Sequence, residues 1–374
     1  MKIGILTYHH AHNYGAYIQA CALCNRLNAE PDIDCELIDF RMKKEVDFYS
    51  LSRISKKTRL LRPMKYHFMK EQFAAFEEAL SDPVMKKSDT SIVSDSIDDF
   101  TNLVKGRYDA IITGSDEVWK TEAYRGFPTA YWLPGDLQCK KFAYAASSRS
   151  DFSSLPESGK QFIQNTLHDY TFIGVREQST ADQLIHMTDA PSKVHVCCDP
   201  SFLYDFPVRK ASVPELLEGK CRLNPSKKTI LLMSNERKLA FTILKNCAGH
   251  CNLVSVYNSH PGWKNAAHIK PLEWVELIAN ADLVITTYFH GTCLSIVNQT
   301  PFLTVGSAAR DSKLISVFDE TASFRDRYIK NTEALASQKN LYQYLENFMT
   351  PPETAGYVAE KRENFSVFLS ALRS

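Results

Sequence analysis

Residues 283–296 read Leu-Val-Ile-Thr-Thr-Tyr-Phe-His-Gly-Thr-Cys-Leu-Ser-Ile, and the His290-Gly291 pair in their middle has the side-chain types and placing to do chemistry. A short β-branched run ends in two threonines and an aromatic pair, then restarts as small and apolar residues at helical spacing. That pattern predicts a buried strand running into a helix N-terminus. Open N–H groups at a helix start bind anions, and a glycine there lets a phosphate approach the backbone. A histidine at the same point can give a charge-assisted hydrogen bond or move a proton near neutral pH. The plainer alternative is a core histidine on a strand-to-helix turn.

Three other clusters stand where strands should end. Gly114-Ser115-Asp116-Glu117-Val118-Trp119 places a carboxylate where it can accept a hydroxyl proton or hold a sugar hydroxyl, with Trp119 offering an apolar face of the kind that stacks on pyranose rings. A capping Asp beside a core Trp fits the same residues. Arg176, in Gly174-Val175-Arg176-Glu177, carries a fork that matches a carboxylate or phosphate in bidentate fashion, or pairs structurally with Glu177 or Asp199. In the first loop, His9-His10-Ala11-His12-Asn13-Tyr14-Gly15, Asn13 is suited to cap the next helix and Gly15 to let a ligand near its first turn. Adjacent loop histidines seldom converge on one ion without carboxylate or cysteine help, so no metal is expected.

The elements that must position these groups alternate. Strands are expected at 2–7, 35–40, 108–113, 141–145 and 172–175, with a helix over 14–29. A second alternating series follows, with strands at 229–233, 252–257, 282–286 and 301–305 and a helix over 272–280. This is an α/β chain of two Rossmann-like, doubly wound domains facing a cleft, in a glycosyltransferase-B-like arrangement with ligands beyond the strands' carboxyl ends. The first domain is set at 1–200 and the second at 201–350, with a final helix at 351–374 placed to cross back to the first. A ligand is expected between Arg176 and His290-Gly291-Thr292.

At 374 residues with 44% apolar and 23% charged content, the chain is long enough for two cores. A net charge of +1 excludes a globally basic nucleic-acid binder, and no nucleic-acid partner is expected. No apolar run approaches the ~18 residues of a membrane span, and the N-terminal run is too short for a signal peptide. A cytoplasmic location follows as the expectation. The ten cysteines lack paired knuckles, which favours free thiols. Residues 41–70 depart from the average, with ten Lys or Arg against two acidic residues and apolar residues interleaved. Such a segment can lie on an anionic membrane surface or contact a diphosphate head group, or be a solvated helical excursion.

Taken in order, Asn13-Tyr14-Gly15-Ala16, Gly114-Ser115-Asp116-Glu117-Val118-Trp119, Tyr144-Ala145-Ala146-Ser147, Val175-Arg176-Glu177, Asp199-Pro200-Ser201 and Phe289-His290-Gly291-Thr292 resemble the polysaccharide pyruvyl transferase family. The resemblance implies transfer of the pyruvyl unit of phosphoenolpyruvate onto sugar hydroxyls as a cyclic ketal, with no cofactor. It implies His290 as the acid, Asp116 as the base and Arg176 with the Gly291-Thr292 helix start as the donor's anion site. The acceptor, a sugar or polyprenyl-diphosphate-linked oligosaccharide, would be held by Asn13, Tyr14, Gly15, Gly114, Ser115 and Trp119. The pattern departs in two places. Glu117 and Lys120 replace amide residues, and Tyr288 stands where many members carry arginine, so that contact is lost or falls to Arg176, Arg149 or Arg310. A nucleotide-sugar glycosyltransferase and an inactive glycan-binding member are the alternatives, although Asp311 and Glu320 make poor ribose-binding carboxylates.

Overall fold

The computed structural model describes the chain except residues 55–59, 61, 122–123, 307–313, 315–316 and 319–321, and the side chains of 322 and 323. Arg310, Asp311 and Glu320 and part of the basic segment therefore lie outside the described residues. The chain divides into two compact units. The first comprises Met1–Arg53, Leu80–Tyr204 and Glu360–Ser374, and the second Ile54–Ala79 and Asp205–Ala359.

In the first unit the strands are β1 (Lys2–Leu6), β2 (Asp34–Leu37), β3 (Phe40–Arg41), β4 (Ile92–Val93), β5 (Ala110–Thr113), β6 (Lys140–Ala146), β7 (Tyr170–Val175) and β8 (Val194–Val196). Six of them form a parallel sheet in the order β2-β1-β5-β6-β7-β8, while β3 and β4 pair separately. The inner strands are apolar on both faces because helices cover both sides; every residue of β5 is buried. The order reverses between β1 and β5, the switch point at which loops part and a crevice opens beyond the strand ends. The end of the chain packs in this unit, with Phe365 and Phe368 against Tyr144 at 5.3 and 4.8 Å between ring centres and Arg373 paired to Asp32 at 2.6 Å.

The second unit repeats the plan with β9 (Thr229–Met233), β10 (Asn252–Ser255), β11 (Lys264–Asn265), β12 (Leu283–Thr286), β13 (Phe302–Val305) and β14 (Tyr328–Ile329). Its parallel order is β11-β10-β9-β12-β13-β14, reversing between β9 and β12. The two Rossmann-like units are the α/β class that the alternating pattern predicts. Val305 does not end the sheet, since the two-residue β14, too short to show a period, adds an edge strand.

The basic segment is not one element. Lys43–Tyr49 is a helix of the first unit, whereas helix Pro63–Ala79 belongs to the second, which corrects the expected span of 1–200 for the first domain. Phe68, Ala75 and Phe76 are buried, and His268 and Lys270 each lie 3.3 Å from Glu78. Among the described residues, no helix is long and apolar enough to cross a membrane.

Candidate functional site

Polar side chains collect at the carboxyl ends of β1, β5, β6 and β7 in the first unit. β5 ends at Thr113, and Gly114 follows with φ +114°, where a Cβ would lie 2.3 Å from the Tyr144 carbonyl oxygen. That close approach to β6, not access for a ligand, is what requires glycine. Ser115 is fully buried, its Oγ donating to the Ala145 carbonyl (3.0 Å) and its N–H to Gln19 Oε1 (3.1 Å). The chain turns outward at Asp116, whose φ of +71° is a left-handed conformation that Asp tolerates better than most residues. Asp116 Oδ1 accepts from the Glu117 N–H at 2.9 Å and lies 3.7 Å from Arg176 Nη2, with 16% of the side chain exposed. Asp116 and Glu117, 16% and 18% exposed, are the charged groups of this motif that reach solvent.

Arg176 leaves the end of β7, and of its two expected roles the structural pairing with Glu177 and Asp199 is the one seen. Its guanidinium donates to Glu177 Oε1 (3.0 Å), Asp199 Oδ2 (2.9 Å) and Ser147 Oγ (3.2 Å), and its side chain is 4% exposed. Burial opposes its charge, but Glu177, Asp199 and Asp116 outweigh that and raise its pKa. An arginine holding three carboxylates is not an open phosphate clamp. Arg149 is likewise paired, with Glu117 at 2.5 Å.

Other expected contacts are corrected by burial. Trp119 is fully buried, stacked 4.9 Å from Trp132 with Nε1 donating to the Tyr131 carbonyl, so it offers no face to a sugar. Tyr14 and Gly15 are buried in helix Tyr14–Asn28. Asn13 caps that helix by accepting from the N–H groups of Gly15 (2.9 Å) and Ala16 (3.4 Å), as its position predicts. His9 is buried against Asp39 (2.9 Å), and burial, outweighing the Asp39 hydrogen bond, lowers its pKa to about 4. His10 lies 3.3 Å from Glu45.

In the second unit, β12 ends at Thr286 and helix Phe289–Val297 begins three residues later, the strand-to-helix junction that the sequence predicts. His290 is the second residue of this helix and is half-buried. Tyr288 supplies no side-chain cap, and the first turn of the helix holds no acidic residue to set against its positive end. Tyr288 hydroxyl accepts from Asn258 Nδ2 at 2.9 Å, and its ring lies 4.5 Å from Tyr257. Thr292 is fully buried, with Oγ1 2.8 Å from Thr304 Oγ1. Gly291 serves packing, because a Cβ would meet Thr286 Oγ1 at 2.5 Å and Met233 Cε at 2.9 Å. At the same switch point Thr287 Oγ1 donates to Ser234 Oγ (3.2 Å), and His260 Nε2 lies 2.8 Å from the Ser234 carbonyl.

Sequence reasoning missed Ser234, Asn258, His260, Glu45 and Arg125. Ser234 had a signal, a small polar residue directly after a buried strand. The others pair with residues distant in sequence, as Arg125 does with Glu45 (3.0 Å) eighty positions away.

The model of the polysaccharide pyruvyl transferase family matches residues 13–308. The chain belongs to that family. It is therefore an enzyme, a pyruvyl transferase of polysaccharide biosynthesis acting on a sugar acceptor. No curated protein matches it in sequence. Among solved structures it is similar to the UDP-GlcNAc 2-epimerase of Neisseria meningitidis bound to UDP-GlcNAc (10% identity, TM-score 0.53, covering 100% of this chain and 99% of that one). It is similar also to the UDP-GlcNAc 2-epimerase of Methanocaldococcus jannaschii (11% identity, TM-score 0.53, covering 99% and 100%). At that identity the likeness shows the glycosyltransferase-B-like fold alone.

Proposed function

We propose that this pyruvyl transferase takes phosphoenolpyruvate as donor and closes a cyclic ketal on two hydroxyls of one acceptor sugar, without a cofactor. The donor side is the second unit and the acceptor side the first. The observation that carries the reading is His290 in the first turn of a helix at the carboxyl end of β12, a turn that itself holds no acidic residue. A phosphorylated enol bears several negative charges, and such a helix end favours them. His290 as imidazolium delivers a proton to the donor's methylene carbon, which leaves an oxocarbenium-like centre at the carbon bearing the phosphate. One acceptor hydroxyl adds there as Asp116 takes its proton. Phosphate then departs and the second hydroxyl closes the ring, its proton leaving with the phosphate. Arg176 acts as a positioning residue, holding the Asp116 carboxylate at 3.7 Å from within a buried network.

The acceptor is proposed as a lipid-linked precursor met at the inner face of the membrane. Leu60 and Met64 are 79% and 84% exposed beside Arg62 and Lys65, an apolar and basic edge suited to anionic lipid. Thermal shift tests the donor assignment. Phosphoenolpyruvate should raise the melting temperature while UDP and UDP-GlcNAc should not; stabilisation by the uridine ligands alone would contradict it.

A further inference from the structure

With Trp119 buried, a different aromatic surface stands next to Arg125, which donates to the Glu117 carbonyl at 2.7 Å in the turn that carries Asp116. Phe48 and Tyr49 end helix Lys43–Tyr49, and Tyr124 comes from the segment after β5. Phe48 and Tyr124 stack at 4.1 Å with their planes 10° apart, although they are 38% and 45% exposed. The Arg53 guanidinium lies 4.4 Å from the Phe48 ring centre. Two groups at those distances cannot share one face, so Phe48 is sandwiched between Arg53 and Tyr124, while the Arg125 guanidinium lies 6.0 Å from the Tyr124 ring centre and leaves 45% of Tyr124 exposed. Tyr49 stands edge-on to Phe48 at 5.1 Å. Burial raises the Tyr49 pKa, and Tyr124, Asp116 and Glu45 add to the shift.

The stack is built, not loosely exposed. Arg125, next to Tyr124, donates to Glu45 Oε1 at 3.0 Å and to the Glu117 carbonyl at 2.7 Å. The same Glu45 accepts from Tyr131 hydroxyl at 2.7 Å. One buried arginine thus ties the helix carrying Phe48 to the turn carrying Asp116. A rigid tyrosine surface tied to a turn that carries a carboxylate suits a pyranose, which presents C–H groups on one face and hydroxyls around its rim.

We propose that the exposed surface of Tyr124, in the Arg53–Phe48–Tyr124 stack that Arg125 joins to the turn carrying Asp116, is the platform on which a sugar ring of the acceptor lies. This rests on the first unit being the acceptor side.

The test is saturation-transfer NMR of the intact protein, without donor, against methyl glycosides of galactose, glucose, mannose and N-acetylglucosamine. At least one should bind the wild type and Tyr124→Phe, which keeps the ring. Tyr124→Ala should bind it roughly five- to tenfold more weakly, the loss of one aromatic stacking contact. The melting temperature of Tyr124→Ala should fall by only about 1–6 °C, the loss of one aromatic pair from a side chain 45% exposed, so that the protein stays folded in the assay. Absence of binding to the wild type, an unchanged signal in Tyr124→Ala, or an equal loss in Tyr124→Phe would overturn the platform. Glycoside binding through Tyr124 with no pyruvyl transfer would fail the donor reading and leave the platform standing.

Discussion

Replacing Arg176 by methionine separates a buried organiser from a donor clamp. The substitution keeps most of the side-chain volume and removes the charge. Asp199 loses its 2.9 Å partner with none of its side chain exposed, while Glu177 and Asp116, 10% and 16% exposed, lose theirs in part. Stripping one partner from a buried ion pair costs ~3–5 kcal/mol, because the remaining charge stays desolvated. For a unit of this size each kcal/mol lowers the melting temperature by about 2–4 °C. A fall of roughly 6–20 °C in differential scanning fluorimetry is therefore expected. Adding Asp199→Asn, which removes the stranded charge, should recover part of it. Donor KM, measured on the folded enzyme below its transition, should change little beside kcat, since Asp116 loses its positioning contact. A melting temperature within about 2 °C of wild type together with a donor KM raised about tenfold or more would refute this reasoning and restore an open clamp.

His290→Ala should keep the far-ultraviolet circular dichroism and lose about 10²–10⁴-fold in kcat, the usual effect of removing a general acid; near-normal kcat would make it a packing residue. His9, neutral in the fold with its pKa lowered by burial to about 4, makes stability depend on pH. The unfolded chain takes up a proton below pH 6.5 that the folded chain refuses until about pH 4, so stability is level above pH 7 and falls through that window. The loss reaches about 2 kcal/mol at pH 5 by linkage, and chemical denaturation at pH 8 and pH 5 should show it in wild type and not in His9→Gln. Gly291→Ala should destabilise by about 1–3 kcal/mol by overpacking against Thr286, visible as a lower melting temperature, where an ordinary helix position would gain from alanine.

What the sequence made legible is what local pattern determines. The strand-to-helix junction at His290 and the Asn13 cap follow from spacing over a few residues, and both stand where the pattern puts them. Whether a side chain points outward is a tertiary property. Trp119 looked like a sugar platform because a tryptophan after a strand-end carboxylate can face either way, and only the Trp132 ring 4.9 Å away decides it. Arg176 could have paired with a ligand or with Glu177 and Asp199, and the fold brings both carboxylates within 3.0 Å. The Phe48–Tyr124 stack joins residues 76 positions apart across separate elements, a pairing that no periodicity encodes. A glycine such as Gly291 suits a phosphate's approach and close packing alike, and only the neighbouring Thr286 and Met233 show the packing role.

The central claim, pyruvyl transfer from phosphoenolpyruvate to a sugar, is tested most directly by mass spectrometry of candidate lipid-linked oligosaccharides incubated with the enzyme and phosphoenolpyruvate. The account predicts a product heavier by pyruvate less one water, with one phosphate released per product, in wild type and not in His290→Ala. Phosphoenolpyruvate left intact across the panel, or a gain matching a hexose when a nucleotide sugar is supplied instead, would contradict it.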